Sequence, residues 1–366
     1  MCIRDSPLIG IFGLSIFLGA CIDRIDFERP QTLEDAIAIQ GKLVKGSPSR
    51  VNVSIRKVLD FKSAPRFVKA RSVTLLDDAG NAIDLDTNAE GIYYKIIHDE
   101  EPRISIRYDK SYKIKVETFE DLVFESALES IIPSPTPTKL TAHRIKKEGR
   151  NAIGDVILRD DFIGFVIDTP LEVSPNAGNV KLLWEIEATH QLTDFPAPRS
   201  CTATVIDEQS KICYVTTSPV ANFIPLDGTR LSVNRISDTI SDAVIRSPQF
   251  AEGYYLTVQQ QAVTAEVFEY WSQVNVVNTR TGSMFEAPVG QVKTNIKNLT
   301  NPAEEVFGYF YATEEKVIRA YVPPELAENP KPACPDIIGE RSQQSSNCCN
   351  CLTIDGATAE KPVWWQ

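Results

Sequence analysis

Residues 252–278, EGYYLTVQQQAVTAEVFEYWSQVNVVN, contain the change of hydrophobic period that decides the fold. Up to Val263 the segment is rich in aromatic and β-branched residues, which are favoured on the pleated surface of a strand. After Thr264 the apolar residues recur with the spacing of a helix. This apolar stripe comprises Val267, Tyr270, Trp271 and Val274, and it ends at the polar Asn278. The segment therefore predicts a strand and then one amphipathic helix, capped by Thr264 and packed against a sheet.

The sequence on both sides of this segment predicts a larger β-sandwich domain over residues 140–322. DFIGFVIDTP, NVKLLWEIEATHQL, CTATVID and ICYVTTSP have the composition and periodicity of strands. Further along, EVFGYFYATEEKVIRAYV predicts a hairpin that turns at Thr313 to Lys316. The helix of the opening segment is the one helix expected in this domain.

A first β-sandwich domain is predicted over residues 35–133. RVNVSIRKV, EGIYYKII and SYKIKVETF alternate apolar and polar residues, and RSVTLLDDAGNAIDL reads as two strands around a turn at Asp77 to Gly80. About 100 residues suit an immunoglobulin-like module, and a transthyretin-like module fits equally well. The fold class is therefore mostly β, with two sandwich domains. The Pro-rich residues 134–139 are predicted to form a semi-stiff linker between them.

The N-terminus predicts export and lipidation. Leu8 to Leu18 is apolar and of the length of a signal-peptide core, and it is too short to span a bilayer. The sequence LGAC that follows it ends at Cys21 and is similar to a bacterial lipobox, in which this thiol is acylated. Residues 1–20 are then a lipoprotein signal peptide and residues 21–34 a polar tether. A plain signal peptide or a buried helix is the alternative. MCIRDS, at residues 1–6, also reads like translated adapter sequence, and resequencing the locus would test that expectation.

Composition narrows the classes of function. The chain has 366 residues and a net charge of −11, which argues against a nucleic-acid partner because such a partner requires a basic face. Beyond the signal peptide we find no apolar stretch long enough to span a membrane, so the N-terminal lipid is the expected membrane link. The sequence contains no nucleophile elbow, P-loop or metal-ligand spacing of histidines. We therefore predict no catalytic residue, no metal and no cofactor.

The tail, residues 323–366, is rich in cysteine. Six cysteines remain after Cys2 and Cys21 are set aside, an even number that predicts disulfides in an oxidising compartment. Neighbouring strands could join Cys201 to Cys213, which leaves three possible pairings among the four cysteines of the tail. A zinc site is the alternative. The candidates are Cys201, Cys213, Cys334, Cys348, Cys349 and Cys351.

Aromatic residues predict either a core or a partner surface. Tyrosine and tryptophan are enriched at binding hot spots, but alternating aromatics also fill sandwich cores. The candidates for a partner surface are Tyr254, Tyr255, Trp271, Trp364 and Trp365. The last two, near the polar C-terminus, either pack back onto the second domain or form a docking tip.

The order of motifs in residues 254–322 resembles a known family. A Y-x-L-x-V strand precedes a Y-W helix, and then come a G-x-M-F-E-x-P turn, an N-I-x-N segment and a V-F-G-Y-F-x-A strand. This order is similar to that of the Bacteroidetes outer-membrane lipoproteins of domain-of-unknown-function family 4249. The lipobox, the N-terminal strands and the tail ending in KPVWWQ fit the same pattern. The N-terminal domain departs from it, because few glycines mark its turns.

The resemblance implies a lipid-anchored outer-membrane protein, often encoded beside a TonB-dependent transporter, with no established catalytic residues. We therefore expect a non-enzymatic accessory or ligand-recognition subunit, on a membrane face that the sequence leaves open. A surface enzyme acting on glycans or proteins is one alternative, because a fold does not decide a function. A structural component of the envelope is the other.

Overall fold

A computed structural model gives the architecture. It describes residues 36–57, 66–88, 91–150, 157–195, 201, 209–219, 222–279, 292–334 and 346–366. These residues are mostly β, as predicted. The strands are β1 (Ile37–Lys45), β2 (Ser49–Lys57), β3 (Arg66–Phe67), β4 (Ala70–Asp77), β5 (Ala82–Asp84), β6 (Asp86–Thr87), β7 (Ile92–Ile97), β8 (Ser111–Thr118), β9 (Val123–Ser126), β10 (Glu129–Ser130), β11 (Lys139–Arg150), β12 (Ile157–Pro170), β13 (Lys181–Thr193), β14 (Ile212–Thr217), β15 (Phe223–Asp227), β16 (Arg235–Val244), β17 (Tyr254–Val263), β18 (Ile296–Asn298), β19 (Val306–Phe307), β20 (Phe310–Val322) and β21 (Ala357–Thr358).

Helical structure is sparse in the described residues. The α-helices are α1 (Ala265–Thr279) and the one-turn α2 (Ser346–Cys349). Short 3-10 turns occupy Gly228–Arg230, Pro248–Phe250, Pro324–Ala327 and Cys351–Thr353. Helix α1 is the helix that the sequence predicts: Thr264 Oγ accepts a hydrogen bond from the amide of Val267, and Val267 and Trp271 are buried while Asn278 is exposed. None of the described helices is long and apolar enough to cross a bilayer.

One large sheet of 12 strands links the two predicted sandwiches. Its strand order is β21-β14-β13-β17-β20-β1-β2-β7-β6, with β15, β19 and β3 paired at its side. The second sheet has six strands, β18-β9-β8-β4-β5 with β10 on β8. The third sheet is β11-β12-β16.

The second and third sheets pack on one face of the large sheet and enclose two cores. The first core joins β1, β2 and β7 to the second sheet, with Leu43, Val53 and Ile114 almost fully buried. The second core joins β13, β17 and β20 to the third sheet and contains Trp184 and Phe165. The chain therefore forms two sandwiches that share one sheet.

Strand β20 makes the connection between the two halves, and here the sequence-based prediction was wrong. Instead of a hairpin turning at Thr313 to Lys316, β20 runs unbroken from Phe310 to Val322. Its first half pairs in parallel with β1 and its second half antiparallel with β17. The polar side chains that suggested a turn have distant partners: Thr313 donates to the carbonyl of Ala262, and Glu315 binds Lys42.

A glycine permits this close approach of β20 to β1. Gly308 has a φ of +94°, and a Cβ atom there would lie 2.0 Å from the carbonyl oxygen of Ile39. Only glycine adopts this conformation without strain. The glycine in the V-F-G-Y-F-x-A segment therefore has a physical role at the step between β19 and β20.

The sequence-based turn at Asp77 to Gly80 is confirmed. The Asp77 carboxylate accepts hydrogen bonds from the amides of Ala79 and Asn81, at 3.0 and 2.8 Å, and joins β4 to β5. Segment CTATVID, by contrast, falls outside the described residues except for Cys201.

The Pro-rich segment 134–139 packs against the large sheet. Ser134 is buried, and its amide donates to Glu314 on β20 at 2.9 Å. The side chain of Gln260 donates to the carbonyl of Pro135 at 2.6 Å. Residues 296–312 also contribute side chains to the first core. The domain bounds themselves, 35–133 and 140–322, stay a prediction.

Candidate functional site

Helix α1 lies on the other face of the large sheet, between two cavities. We name the first the Glu129 pocket. It has a volume of about 580 Å³ and is bounded by β10, the first turns of α1 and the chain before β18. Its polar lining consists of Glu129, Ser130, Thr264, Glu266, Glu269, Tyr270, Gln273, Lys293, Thr294, Asn295 and Tyr309.

Glu129 is the buried carboxyl group of this pocket, with only 5% of its surface exposed. It accepts hydrogen bonds from the side chains of Asn295 and Tyr309, at 2.9 and 3.1 Å. Burial raises its pKa to about 7, the nearby charge of Glu266 acts in the same direction, and the hydrogen bonds oppose the shift. Glu129 therefore exchanges its proton near neutral pH, the range in which a carboxyl group can serve as acid or base.

The partners of Glu129 are themselves held in place. Asn295 donates to the carbonyl oxygen of Phe310 and accepts from its amide, at 2.7 and 3.0 Å. The ring of Tyr309 lies 4.6 Å from that of Tyr270 on α1. Burial and the neighbouring Glu129 raise the pKa of the Tyr309 hydroxyl, which stays protonated and donates to the carboxyl group.

Sequence reasoning missed Glu129, because nothing in its local sequence separates it from an ordinary strand residue. The one usable signal was the N-I-x-N segment, whose first residue is Asn295. That segment was noticed as part of a motif order, and its contact with Glu129 is visible only in three dimensions.

We name the second cavity the α1 cleft. It has a volume of about 210 Å³ and lies where β1 and β2 meet α1. The ring of Trp271 stacks on that of Phe223, with centroids 3.8 Å apart. Lys42 binds Glu185 at 2.6 Å and Glu315 at 3.4 Å. The cleft thus combines an aromatic floor with a polar rim.

The six cysteines form three disulfides and leave no free thiolate among themselves for the alternative zinc site. The bridges are Cys201–Cys349, Cys213–Cys351 and Cys334–Cys348. The predicted bridge between Cys201 and Cys213 was wrong, because each of these residues is joined to the tail instead. The adjacent Cys348 and Cys349 therefore have different partners, Cys334 and Cys201.

A buried aspartate supports the same junction between the tail and the large sheet. Asp194 has no exposed surface. One of its carboxylate oxygens accepts from the amide of Lys211 at 2.6 Å and the other from the amide of Cys351 at 3.0 Å. The tail is therefore fixed to β13 and β14 by hydrogen bonds as well as by sulfur.

Most of the aromatic residues predicted as a partner surface are buried, which corrects that prediction. Tyr254, Tyr255, Trp271 and Trp365 are at most 7% exposed. Tyr254 lies in the second core, and Trp365 packs on Tyr214 and Tyr255. The tail folds back onto the large sheet, because this sheet face offers the two tryptophans apolar contacts that solvent does not. Trp364, which is half-buried, is the one member left at the surface.

Trp364 is held by a cation–π contact, which gives a first prediction. The guanidinium carbon of Arg319 lies 4.5 Å from the centre of its ring. We expect Arg319→Gln to lower the free energy of unfolding by about 0.5–1 kcal/mol, because the cation is lost. Arg319→Lys is the matched control and should lose less. Urea unfolding followed by tryptophan fluorescence measures both variants, and equal losses would contradict this role of the charge.

The predicted signal peptide, the lipidation site Cys21 and the tether all lie outside the described residues. They stay predictions on which the geometry has no bearing.

Comparison with known proteins identifies the family. Residues 22–319 match the family model described as Domain of unknown function (DUF4249). The chain belongs to this family. The match spans both sandwiches and α1, and so includes the Glu129 pocket and the α1 cleft. No curated protein and no solved structure matches the chain.

Proposed function

We propose that this DUF4249 chain is an outer-membrane lipoprotein, anchored through Cys21, that acts as a non-enzymatic recognition subunit beside a TonB-dependent transporter. The observation that carries the proposal is the set of three disulfides at the junction of tail and sheet. Disulfides persist in oxidising compartments such as the periplasm and the cell surface. They therefore support export, which lipidation at Cys21 requires.

Two further observations support the anchor. The family match begins at residue 22, directly after Cys21, which agrees with a mature chain that starts at the acylated residue. Two or more acyl chains hold a protein stably on a bilayer. A net charge of −11 gives little attraction to anionic lipid, so the acyl chains would supply the membrane affinity.

The recognition role is supported by the two cavities beside α1. Both are built from segments that are distant in sequence: β10, α1 and the chain before β18 around the Glu129 pocket, and β1, β2 and α1 around the cleft. Their walls are therefore held by the fold and not by one loop. Such pre-formed concave sites with a few placed polar groups are typical of ligand binding.

The second prediction tests the anchor and the partner in a Bacteroidetes host. Wild-type protein should incorporate labelled palmitate and co-purify with a TonB-dependent transporter after mild detergent extraction. Cys21→Ala should lose all of the label and leave the membrane fraction. Cys334→Ser with Cys348→Ser is the matched control, since it removes two cysteines but keeps the anchor. Wild-type protein that takes up no palmitate, or that purifies without a transporter, would refute the proposal.

A surface enzyme is the second candidate, and Glu129 favours it specifically. A buried carboxyl group with a pKa of about 7, in a pocket that Glu266 and Glu269 also line, has the properties of a general acid or base. Hydrolysis of glycans or peptides by the wild type, abolished in Glu129→Gln, would establish this function in place of the first.

A further inference from the structure

We propose that the α1 cleft binds the terminal ring of a neutral sugar. The proposal names a ligand class for the recognition role and rests on that role for the biological source of the ligand. The binding itself is a property of the folded chain and is testable without the transporter.

The polar rim of the cleft is one face of the β1–β2 hairpin. Lys42 pairs with Asn52 and Gln40 with Ser54 across the two strands, so these side chains project from the same face. All four line the cleft, together with Arg56. Gln40, Asn52 and Arg56 are exposed, and Gly41, Val53, Trp271 and Tyr311 beneath them are buried. The cleft is thus open to solvent above and closed below.

The buried Trp271 lacks a hydrogen-bond partner. Its side chain is 3% exposed and lines the cleft, and among the described residues nothing accepts a hydrogen bond from its indole N–H. Buried polar groups are rarely left unpaired, and an unpaired one calls for an explanation. Indole nitrogen can only donate, so a ligand that reaches it when the ring turns toward the cleft must offer an acceptor such as a hydroxyl or ring oxygen.

The charges of the cleft favour a neutral ligand. Lys42 is paired with Glu185 and Glu315, and the guanidinium of Arg56 lies over the ring of Phe67. A charged ligand would have to compete with these ion pairs. A sugar can instead donate hydroxyl protons to Glu185 and accept hydrogen bonds from Trp271, Asn52 and Gln40. The half-buried ring of Phe223, backed by Trp271 and Tyr311, offers the apolar contact that the C–H groups of a sugar ring require.

The volume limits the ligand to an end group. About 210 Å³ is less than the ~300–1,000 Å³ of pockets that enclose a drug-sized molecule. One ring fits, and the rest of a glycan would remain in solvent beyond the exposed rim of Gln40 and Asn52.

The third prediction uses the indole N–H as the reporter. The full lipidated chain, with isotope-labelled tryptophan and in a detergent without a sugar headgroup, is titrated with neutral methyl glycosides and separately with methyl glucuronide, which carries a carboxylate. The Trp271 signal, assigned through Trp271→Phe, should move and saturate with at least one neutral glycoside. The signals of Trp364 and Trp365 should stay in place.

Asn52→Ala should weaken this binding about tenfold, the effect of one lost hydrogen bond. Asn278→Ala is the matched control, because Asn278 is exposed at the end of α1 and does not line the cleft. A Trp271 signal that no neutral glycoside moves, one that responds only to the glucuronide, or equal affinities of the two asparagine variants would overturn the proposal. Failure to bind sugar leaves palmitate labelling and transporter co-purification unchanged, so the two proposals fail separately.

Discussion

Removing both long-range disulfides at once is expected to lower the free energy of unfolding by more than the sum of the two separate losses. Cys201–Cys349 and Cys213–Cys351 join the same two segments of chain, across sequence separations of 148 and 138 residues. When one bridge is removed, the other still closes the long loop. The unfolded chain then gains only the freedom of a circuit of about 15 residues, which corresponds to about 3 kcal/mol.

Removing the second bridge frees the long loop itself. The chain-entropy relation gives about 4.7 kcal/mol for a loop of about 100 residues, so the second removal should cost roughly 5 kcal/mol. We therefore expect about 3 kcal/mol for Cys213→Ser with Cys351→Ser, about the same for Cys201→Ser with Cys349→Ser, and about 8 kcal/mol for all four substitutions. Guanidinium unfolding without reductant measures the three variants.

Cys334–Cys348 provides the control for this argument. It spans 14 residues, so replacing both of its cysteines by serine should cost about 3 kcal/mol. That loss should be similar whether or not the Cys213–Cys351 bridge is present, because Cys213–Cys351 does not close the same circuit. The expectation of a greater-than-additive loss would be contradicted if the loss in the free energy of unfolding on removing both long-range bridges equalled the sum of the two separate losses. The two bridges would then not restrain one shared loop.

Local signals in the sequence predicted the elements whose causes are local. The turn at Asp77 to Gly80 is determined by side-chain bonds to amides two and four residues on. Helix α1 follows from its own apolar stripe and from the Thr264 cap. In each case the pattern that indicates the conformation lies within a few turns of chain, where the sequence displays it directly.

Features with distant causes could not be predicted in this way. The parallel pairing of β1 with β20 joins residues about 270 positions apart, and the apparent turn within β20 is explained only by partners such as Lys42. The even number of cysteines predicted disulfides but not their pairing. Neighbouring strands suggested Cys213 as the partner of Cys201, whereas the partner is Cys349 in the tail. Glu129 became a candidate only when burial and Asn295 were known.

Replacing Glu129 by glutamine is expected to remove a loss of stability that the wild type suffers as the pH rises. The pKa of Glu129 is about 7 in the folded chain, against an ordinary value of 4.5. Below about pH 4.5 the group is protonated in both states and has no effect on their balance. Between the two values the unfolded chain releases the proton and the folded chain keeps it, so the free energy of unfolding falls.

The fall should reach about 3 kcal/mol above about pH 7, since each pKa unit corresponds to about 1.4 kcal/mol. Glutamine keeps a side-chain oxygen that can accept from Asn295 and Tyr309 but does not ionise. We therefore expect Glu129→Gln to be as stable as the wild type near about pH 4.5 and more stable by up to about 3 kcal/mol near about pH 8.

Urea unfolding across this pH range measures the difference in the free energy of unfolding between Glu129→Gln and the wild type. Groups that titrate alike in both proteins cancel in this difference. Glu269→Gln is the control, because it removes a carboxyl group from the same pocket at an exposed position. A difference between Glu129→Gln and the wild type that does not change with pH would mean that Glu129 is ionised in the folded chain throughout the range. Its acid–base role in the enzyme alternative would then lose its physical basis, because a carboxylate that is already ionised at neutral pH has no proton to donate.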